Sequence, residues 1–319
     1  MGLGLLYFLS LASKEIGVTL PGALLLLELL APRLGGAERG REPGLGVRLR
    51  RETGAFLVLP LVLVAYLELR LLALGSVMGE VTAPLFTTIG PEARFLSAVA
   101  VWVQYLRLLV FPMDLSVDYD PGVLFPSESV DLPVVLGLVV ILGLAGLARW
   151  SWKGRILVAA GVLWFALTIL PVSNLFFASG VLLAERTLYL PSLGLPMVVA
   201  GLVPVCLALP STRRRLVLAG AAVVAVGFFV RTVTRNHAWM DTFVMGQVLH
   251  DEHPESWRAL RARAQGLTRV GDVQGAAEAW RLAATLAPHD YRLLVQVGDF
   301  HGRMGDWSEG EPYLRRAIT

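Results

Sequence analysis

The sequence predicts an all-α fold in which a polytopic bundle of transmembrane helices precedes a soluble domain of helical repeats. Hydrophobic residues make up 55% of the 319-residue chain and charged residues only 17%, which is far more apolar than an ordinary soluble protein. Apolar stretches of membrane-crossing length recur through the first two thirds of the chain. A period of 34 residues marks the remaining third. Lipid is therefore the expected solvent for most of the chain.

Six apolar segments approach the roughly 20 residues that a helix needs to cross a bilayer. They lie at 16–31, 55–74, 131–148, 155–171, 190–210 and 216–232. Residues 2–12 are apolar as well and are typical of the end of a further span. We therefore expect an integral, multi-pass membrane domain over residues 1–232, with membrane lipid as its surroundings.

Basic residues cluster in three of the short connections between these segments. The clusters lie within 33–51, 149–155 and 213–215. Because Lys and Arg are enriched in cytoplasmic loops, these three connections are predicted to face the cytoplasm. The connection 75–130, the loop 172–189 and everything after residue 232 then share the non-cytoplasmic side, which is the periplasm or a lumen.

One apolar segment, residues 94–112, does not fit this alternation as a span. It carries Arg94, Gln104 and Arg107, and a full crossing would reverse the orientation of every later loop. The loop that follows has five acidic residues and no basic one, which suits the outer face. We therefore predict an amphipathic helix at the outer surface, or a re-entrant hairpin, within an outer-face segment 94–130.

The last third of the chain is periodic. Three positions recur 34 residues later, with Gly271, Asp272 and Ala283 repeated as Gly305, Asp306 and Ala317. This is the period of tetratricopeptide repeats, each of which is a pair of helices. We predict a repeat domain over 233–319, with one unit at 257–290 and an incomplete unit at 291–319. Stacked helix pairs form a concave groove suited to an extended peptide.

Several classes of function are disfavoured by the composition. All five histidines follow residue 232, so histidine acid/base chemistry is not expected in the membrane domain. The single cysteine, Cys206, has no disulfide partner in the chain. The arginines lie in short clusters between apolar stretches rather than on one face. No nucleic-acid partner is therefore expected.

Charged residues at the outer ends of the predicted spans are the main candidates for chemistry, because a charge in lipid is costly and is normally paired or functional. Lys14 and Glu15 interrupt an apolar run. Two interpretations are open at this position. The pair either forms a solvated turn between two spans or supplies a cation that holds the phosphate of a lipid.

Two further groups of polar residues lie in predicted outer loops. Asn174, Glu185 and Arg186 lie in the mostly apolar stretch 171–194, where a structural salt-bridge network and a substrate role are equally open. Asp118 is followed by a second Asp two residues later. This spacing is able to bind a divalent cation with a diphosphate, although capping of a turn is the favoured interpretation.

Four stretches of the chain together carry a family resemblance. They are LASKEIGVTLP at 11–21, VQYLRLLVFPMDLSVDY at 103–119, LPVSNLFFASGVLLAERTLYLPSLG at 170–194, and the repeats that follow RNHAWMD at 235–241. In this order they resemble the transmembrane-and-tetratricopeptide-repeat protein O-mannosyltransferases and their bacterial relatives. The third stretch is long and specific, whereas the repeats alone occur in countless scaffolds.

The resemblance implies a multi-spanning glycosyltransferase of the C type. Such an enzyme takes a sugar, typically mannose, from a polyprenyl phosphate and passes it to a protein Ser or Thr on the outer face, with the repeats binding the acceptor. The donor is then a lipid-linked sugar, no cofactor is certain, and a divalent cation is left open. By the resemblance, Lys14 falls where such enzymes keep a cation for the lipid phosphate, and Arg186 is the second candidate. The supporting candidates are Glu15, Asn174, Glu185 and Asp118.

The acidic residue that acts as acceptor base in such enzymes lies in the first outer loop. By the resemblance it is expected upstream of Met1, so the catalytic carboxylate is unknown in this chain. We accordingly expect the chain to be part of a longer protein at both ends, since the second repeat reaches Thr319 within its second helix.

Two alternative functions stay open. The first is a non-enzymatic, membrane-anchored repeat scaffold that presents the repeats to a partner protein, although the elaborate outer segment 94–130 argues against a simple anchor. The second is a relative of O-antigen ligases or polymerases, which would be expected to use Arg and His in a large outer loop. The membrane part has no His, so the transferase ranks first.

Overall fold

A computed structural model of the chain describes residues 2–34, 53–75, 89–119, 126–176 and 181–318. Within these ranges the chain consists of α-helices, short 3₁₀ turns and connecting loops, and no β-strand occurs. The predicted all-α fold is confirmed. The chain divides into two compact units, of which the first comprises Met1–Phe111 with Ser127–Ala219 and the second comprises Pro112–Pro126 with Gly220–Thr319.

The first unit is a bundle of apolar helices. In chain order its helices are α1 (Gly2–Ser13), α2 (Leu20–Leu34), α3 (Thr53–Leu74), α4 (Pro91–Val110), α5 (Leu132–Ser151), α6 (Ile156–Ile169) and α7 (Gly194–Leu207). Short 3₁₀ turns lie between these helices, at Glu15–Thr19, Leu170–Val172, Glu185–Leu188 and Pro191–Leu193. The next helix, α8 (Ser211–Asn236), starts in the first unit and continues into the second.

Four of the helices in the described ranges are long and apolar enough to cross a membrane, namely α3, α4, α5 and the helical stretch Ser211–Trp239 that contains α8. Shorter apolar helices occur at Gly2–Ser13, Ile16–Pro32, Ile156–Val172 and Pro191–Leu207. Large apolar side chains on the outside of these helices are exposed, as a lipid solvent requires. The chain is a membrane protein, as predicted.

Helix α4 covers the segment that was predicted to be a surface helix or a re-entrant hairpin. It is one continuous helix of 20 residues rather than a hairpin. One of its faces is buried and includes Trp102 and Tyr105, and the Trp102 ring meets Phe165 of α6 edge-on at 6.0 Å. Because its length and composition are also those of a span, its position at the membrane surface stays a prediction.

Glycines allow the helices of the first unit to approach closely. A Cβ added at Gly137 of α5 would lie 2.1 Å from the Val99 carbonyl oxygen of α4, and one added at Gly161 of α6 would lie 2.3 Å from the Gly194 oxygen of α7. Neither position has room for a side chain. Small residues at helix contacts are typical of packing in membranes. The contact at Gly161 fixes α6, whose end leads into the loop 171–194.

The second unit continues with paired helices. They are α9 (Thr242–Glu252), α10 (Trp257–Val270), α11 (Val273–Leu286), α12 (Tyr291–Arg303) and α13 (Trp307–Ile318). Helix α10 packs on α11 and α12 packs on α13. The turns inside these pairs contain Gly271 at φ +84° and Gly305 at φ +83°, which few residues other than glycine adopt. The 34-residue period is thus a period of helix pairs, and their assignment as tetratricopeptide repeats stays a prediction.

The second unit also contains a segment that was predicted to belong to the membrane domain. Arg231 of α8 donates to the carbonyl oxygens of Pro112 (3.3 Å) and Met113 (2.8 Å). Asp118 forms an ion pair with Arg258 of α10 at 3.0 Å. These contacts explain why residues 112–126 cluster with the repeats, while the continuous helix α8 runs across the predicted boundary at residue 232.

Candidate functional site

The loop after α6 contains three of the predicted site residues, namely Asn174, Glu185 and Arg186. Hydrogen bonds from Asn174 link the two sides of this loop. This residue is 1% exposed and has a φ of +61°, a left-handed conformation that Asn tolerates better than most residues. Its amide Nδ2 donates to the carbonyl oxygens of Val181 and Leu182, each at 3.1 Å. Asn174 thereby joins the two sides of the loop and has a structural role.

Both ends of this loop are tied to neighbouring helices. The Tyr105 hydroxyl of α4 donates to the Val172 carbonyl oxygen at 3.3 Å, and the Trp164 indole nitrogen of α6 donates to the Leu190 oxygen at 2.9 Å. Leu182 and Leu183, which lie between these two hydrogen bonds in the sequence, are buried. The backbone that carries Glu185 and Arg186 is therefore held in one position.

Arg186 lies in the 3₁₀ turn Glu185–Leu188, which packs on α4. Its guanidinium is exposed, and it makes no ion pair or hydrogen bond within the described part of the chain. The neighbouring Glu185 is half-buried and is engaged in an interaction. A structural salt-bridge network through Arg186 is thus not seen in the described ranges.

Lys14 lies in extended backbone between α1 and the turn Glu15–Thr19. Its amide donates to the Ser10 carbonyl oxygen at 2.9 Å, and its own carbonyl accepts from the Gly17 amide at 3.1 Å. The side chain is exposed and has no polar partner among the described residues. The Glu15 side chain lies outside the described part of the structure.

The segments that carry the exposed cations Lys14 and Arg186 are both connected to the turn Leu170–Val172. The turn after Lys14 packs on Leu170–Val172, which runs directly into the loop closed by Asn174. The turn that carries Arg186 packs on α4, whose Tyr105 contacts the same Val172. A phosphate suits such cations, because Arg binds it in a bidentate way and Lys as a point charge.

Asp118 is part of the second unit and is not available as a free carboxylate. It accepts from Arg258 Nη1 at 3.0 Å, and its carbonyl oxygen accepts from the Ser116 hydroxyl at 2.6 Å. Asp120, the other member of the predicted pair, lies outside the described residues. In the ranges that the structure covers, no group of three or more His, Cys, Asp or Glu side chains is placed to hold a metal ion.

Sequence reasoning missed the basic cluster that binds Asp118. The guanidinium groups of Arg258 and Arg261 lie 5.2 and 5.6 Å from the centre of the Trp257 ring. Burial lowers the pKa of Arg261, the neighbouring Arg258 lowers it further, and Asp118 and Asp290 oppose both effects. The spacing of three between the two arginines was the signal in the sequence, since it places them on one helix face.

A groove of about 360 Å³ lies on the second unit beside this cluster on α10. It is lined by residues of α10, α11 and α12 that include Gln265, Arg269, Trp280, Gln296 and Arg303. Gln265 Nε2 donates to Gln296 Oε1 at 3.3 Å. The Trp280 indole nitrogen is buried and has no acceptor within the described chain.

Comparisons with known proteins point to one group of enzymes. The chain is 29% identical over 203 residues to Protein O-mannosyl-transferase TMTC1 of Mus musculus. The matched segment covers 58% of this chain and 21% of that protein. It is 32% identical over 106 residues to Protein O-mannosyl-transferase F38B6.6 of Caenorhabditis elegans, covering 32% and 15%. It is 30% identical over 156 residues to Protein O-mannosyl-transferase TMTC1 of Homo sapiens, covering 46% and 17%.

These matches confirm the resemblance to protein O-mannosyl-transferases that the sequence motifs indicated. The chain spans about a fifth or less of the length of these curated relatives, with 21%, 15% and 17% covered. No family model matches the chain. No solved structure matches it significantly.

Proposed function

We propose that the chain is part of a membrane glycosyltransferase that transfers mannose from a polyprenyl-phosphate donor to a Ser or Thr hydroxyl of a protein. The relatives named protein O-mannosyl-transferases support the reaction class. The observation that carries the assignment of residues is the pair of exposed cations, Lys14 and Arg186, neither of which has an internal partner in the described chain.

Both cations have a chemical role in this reaction. When the acceptor hydroxyl attacks the anomeric carbon, the bond from that carbon to the phosphate oxygen breaks and the phosphate takes the electron pair. A fixed cation stabilises this negative charge as it grows. Arg186 and Lys14 are the candidates, and the hydroxyl proton passes to a carboxylate that acts as general base.

The loop that carries Arg186 is suited to this role because it is held in place before the donor binds. Asn174 closes the loop at one point, and Tyr105 and Trp164 tie its ends to α4 and α6. A cation on a fixed backbone loses little freedom when it binds a phosphate, so more of the interaction energy is available to the reaction. Asn174 and Glu185 are accordingly proposed to position the loop rather than to touch the donor.

The proposed orientation follows from the charge pattern of the connections. The positive-inside rule assigns the loops with Lys14 and Arg186, and the repeats, to the non-cytoplasmic side. On this assignment the repeats are in the same compartment as the donor and bind the acceptor protein. A tetratricopeptide-type groove is suited to an extended acceptor peptide.

The test uses the full-length gene product in proteoliposomes with a labelled polyprenyl-phosphate mannose and an acceptor peptide. Lys14→Gln and Arg186→Gln are each expected to lower the rate of transfer about 10²-fold, the typical cost of removing one group that stabilises a developing charge. Lys153→Gln and Arg213→Gln are the matched controls, because both side chains are exposed and both are predicted to face the cytoplasm. The controls are expected to retain full activity.

Equal rates for the four variants would contradict the assignment of the two cations. Because Lys14 and Arg186 are exposed and have no internal polar partner in the described ranges, their variants are expected to unfold at the wild-type temperature. A loss of activity with a lowered unfolding temperature would therefore also count against the proposal. Complete absence of transfer by the wild-type protein would favour the membrane-anchored scaffold.

A further inference from the structure

A row of basic and amide side chains follows one face of α10. Its members are Arg258, Arg261, Gln265 and Arg269, and we call them the basic stripe. Their spacings of three, four and four residues place them along one side of the helix. The last two line the groove of about 360 Å³. The stripe therefore leads from the Trp257 cluster into the groove.

The first member of the stripe already binds a carboxylate from a distant part of the chain. Asp118 is 140 residues away from Arg258 in sequence, yet the two side chains are 3.0 Å apart and only 20% and 19% exposed. Asp118 lies in the non-helical segment 111–119, which Arg231 also holds by its backbone carbonyls. The repeat domain thus binds an irregular polypeptide segment through an acidic side chain.

The second member of the stripe, Arg261, has a buried nitrogen without a hydrogen-bond partner among the described residues. Arg261 is half-buried, its Nε has no acceptor in the described chain, and its guanidinium lies over the Trp257 ring. Burial and the neighbouring Arg258 lower the pKa of Arg261, while Asp118 and Asp290 oppose this effect. A carboxylate from outside the described chain would bind the terminal nitrogens of the guanidinium.

The groove beyond Arg261 offers groups that suit a peptide backbone. Gln265 and Gln296 face each other across it, and their amides are able to donate and accept. Arg269 adds positive charge to the lining, where Arg303 is paired with Asp299 at 2.9 Å. The backbone of an extended polypeptide pairs with the amides, while its acidic side chains pair with the charges.

We infer that the basic stripe binds an extended acidic peptide, with a peptide carboxylate on Arg261 and the peptide backbone along Gln265 and Gln296. Asp118 is the internal carboxylate at the start of the same stripe, so it competes with a second peptide carboxylate for Arg258. This inference rests on the proposed function in one respect, which is that the bound peptide is the acceptor. The inference then predicts that the acceptor peptide has acidic residues near the Ser or Thr that is modified.

The test measures fluorescence anisotropy of a short labelled peptide that contains Ser, Thr, Asp and Glu, bound to the full chain in detergent without any sugar donor. Arg261→Gln is expected to weaken binding about tenfold, which corresponds to one charge-assisted hydrogen bond. Arg261→Lys is expected to restore part of the affinity. Arg281→Gln is the matched control, because Arg281 is exposed on α11 and does not line the groove.

Asp118→Asn gives the opposite expected result. Removing the internal carboxylate makes Arg258 available, so the acidic peptide is expected to bind more tightly than to the wild-type chain. Unchanged or weaker binding by this variant would overturn the assignment of Asp118 as a competitor. Equal binding of a peptide with Asn and Gln in place of Asp and Glu, or full competition by vesicles of phosphatidylglycerol, would overturn the inference of an acidic peptide.

A negative result in the binding assay and a negative result in the transfer assay refute different proposals. Loss of peptide binding in Arg261→Gln with intact sugar transfer to a small acceptor leaves the proposed reaction standing. Absence of transfer by the wild-type protein, together with binding that depends on Arg261, refutes the transferase and leaves the acidic-peptide site. Each assay therefore tests its own proposal.

Discussion

Asn174 offers a test of what holds the loop 171–194 together. It combines an unfavourable backbone conformation, φ +61°, with two hydrogen bonds from its amide, a partly buried one to the Val181 carbonyl oxygen and a buried one to that of Leu182. Asn174→Ala removes both hydrogen bonds and keeps the strained backbone. Asn174→Gly removes the same bonds but adopts a positive φ without a steric cost. Comparing the two variants separates the two effects.

The hydrogen bonds are expected to outweigh the backbone strain. Each lost bond costs about 1–2 kcal/mol, so Asn174→Ala is expected to lower the free energy of unfolding by about 3 kcal/mol. Glycine recovers about 1 kcal/mol through its backbone freedom, so Asn174→Gly should cost about 2 kcal/mol. The predicted order of stability is wild type, then Gly, then Ala.

The measurement is the unfolding temperature of the purified protein in detergent, followed by tryptophan fluorescence. At about 2–4 °C per kcal/mol, Asn174→Ala should unfold roughly 6–12 °C below the wild type. Asn236→Ala is the control, because Asn236 is exposed and its replacement should change little. A glycine variant as stable as the wild type, or an alanine variant no less stable than the glycine variant, would refute the reasoning.

Three further predictions concern the packing and the repeats. Gly161→Ala should strongly lower the unfolding temperature, because its Cβ would lie 2.3 Å from the Gly194 carbonyl oxygen, whereas Gly143→Ala has open space and should be neutral; equal effects would contradict the close helix contact. Gly305→Ala should cost the repeat domain about 1 kcal/mol in urea unfolding, since φ is +83° there, and no cost would show that the turn relaxes. The pKa of His250 lies below its usual value of 6.5, mainly through burial. The unfolded chain therefore binds this proton more readily, so stability should be full above pH 6.5 and fall as the pH drops below it. His250→Gln should flatten that part of the stability-versus-pH curve, and an unchanged slope would assign it to other groups.

Local patterns in the sequence predicted much of the fold. The apolar segments became helices because hydropathy and length act within each segment, and α3, α5 and α6 lie close to the predicted bounds. The recurring Gly-Asp pair marked two turns of the same geometry, since a positive φ favours glycine at Gly271 and Gly305. The motif at 170–194 indicated the enzyme group that the comparisons found.

Candidate residues were harder to interpret from sequence. Asn174 stays a candidate, and the sequence did not indicate that its amide hydrogen-bonds to the carbonyl oxygens of Val181 and Leu182. Arg186 was weighed as a member of a salt bridge, but its side chain is exposed and makes no ion pair in the described ranges. Such outcomes depend on which backbone groups the loop brings together, and no local pattern encodes that.

The sequence by itself determined the membrane helices, the 34-residue period and the family resemblance, because each depends on neighbouring residues or on a fixed spacing. Only the tertiary structure decided that Asp118 pairs with Arg258 and that segment 112–126 joins the repeat unit. The physical reason is distance along the chain. A contact between residues 140 positions apart forms only when the helices between them have packed. The sequence around Asp118 does not indicate Arg258 as its partner, and the sequence around Arg258 does not indicate Asp118.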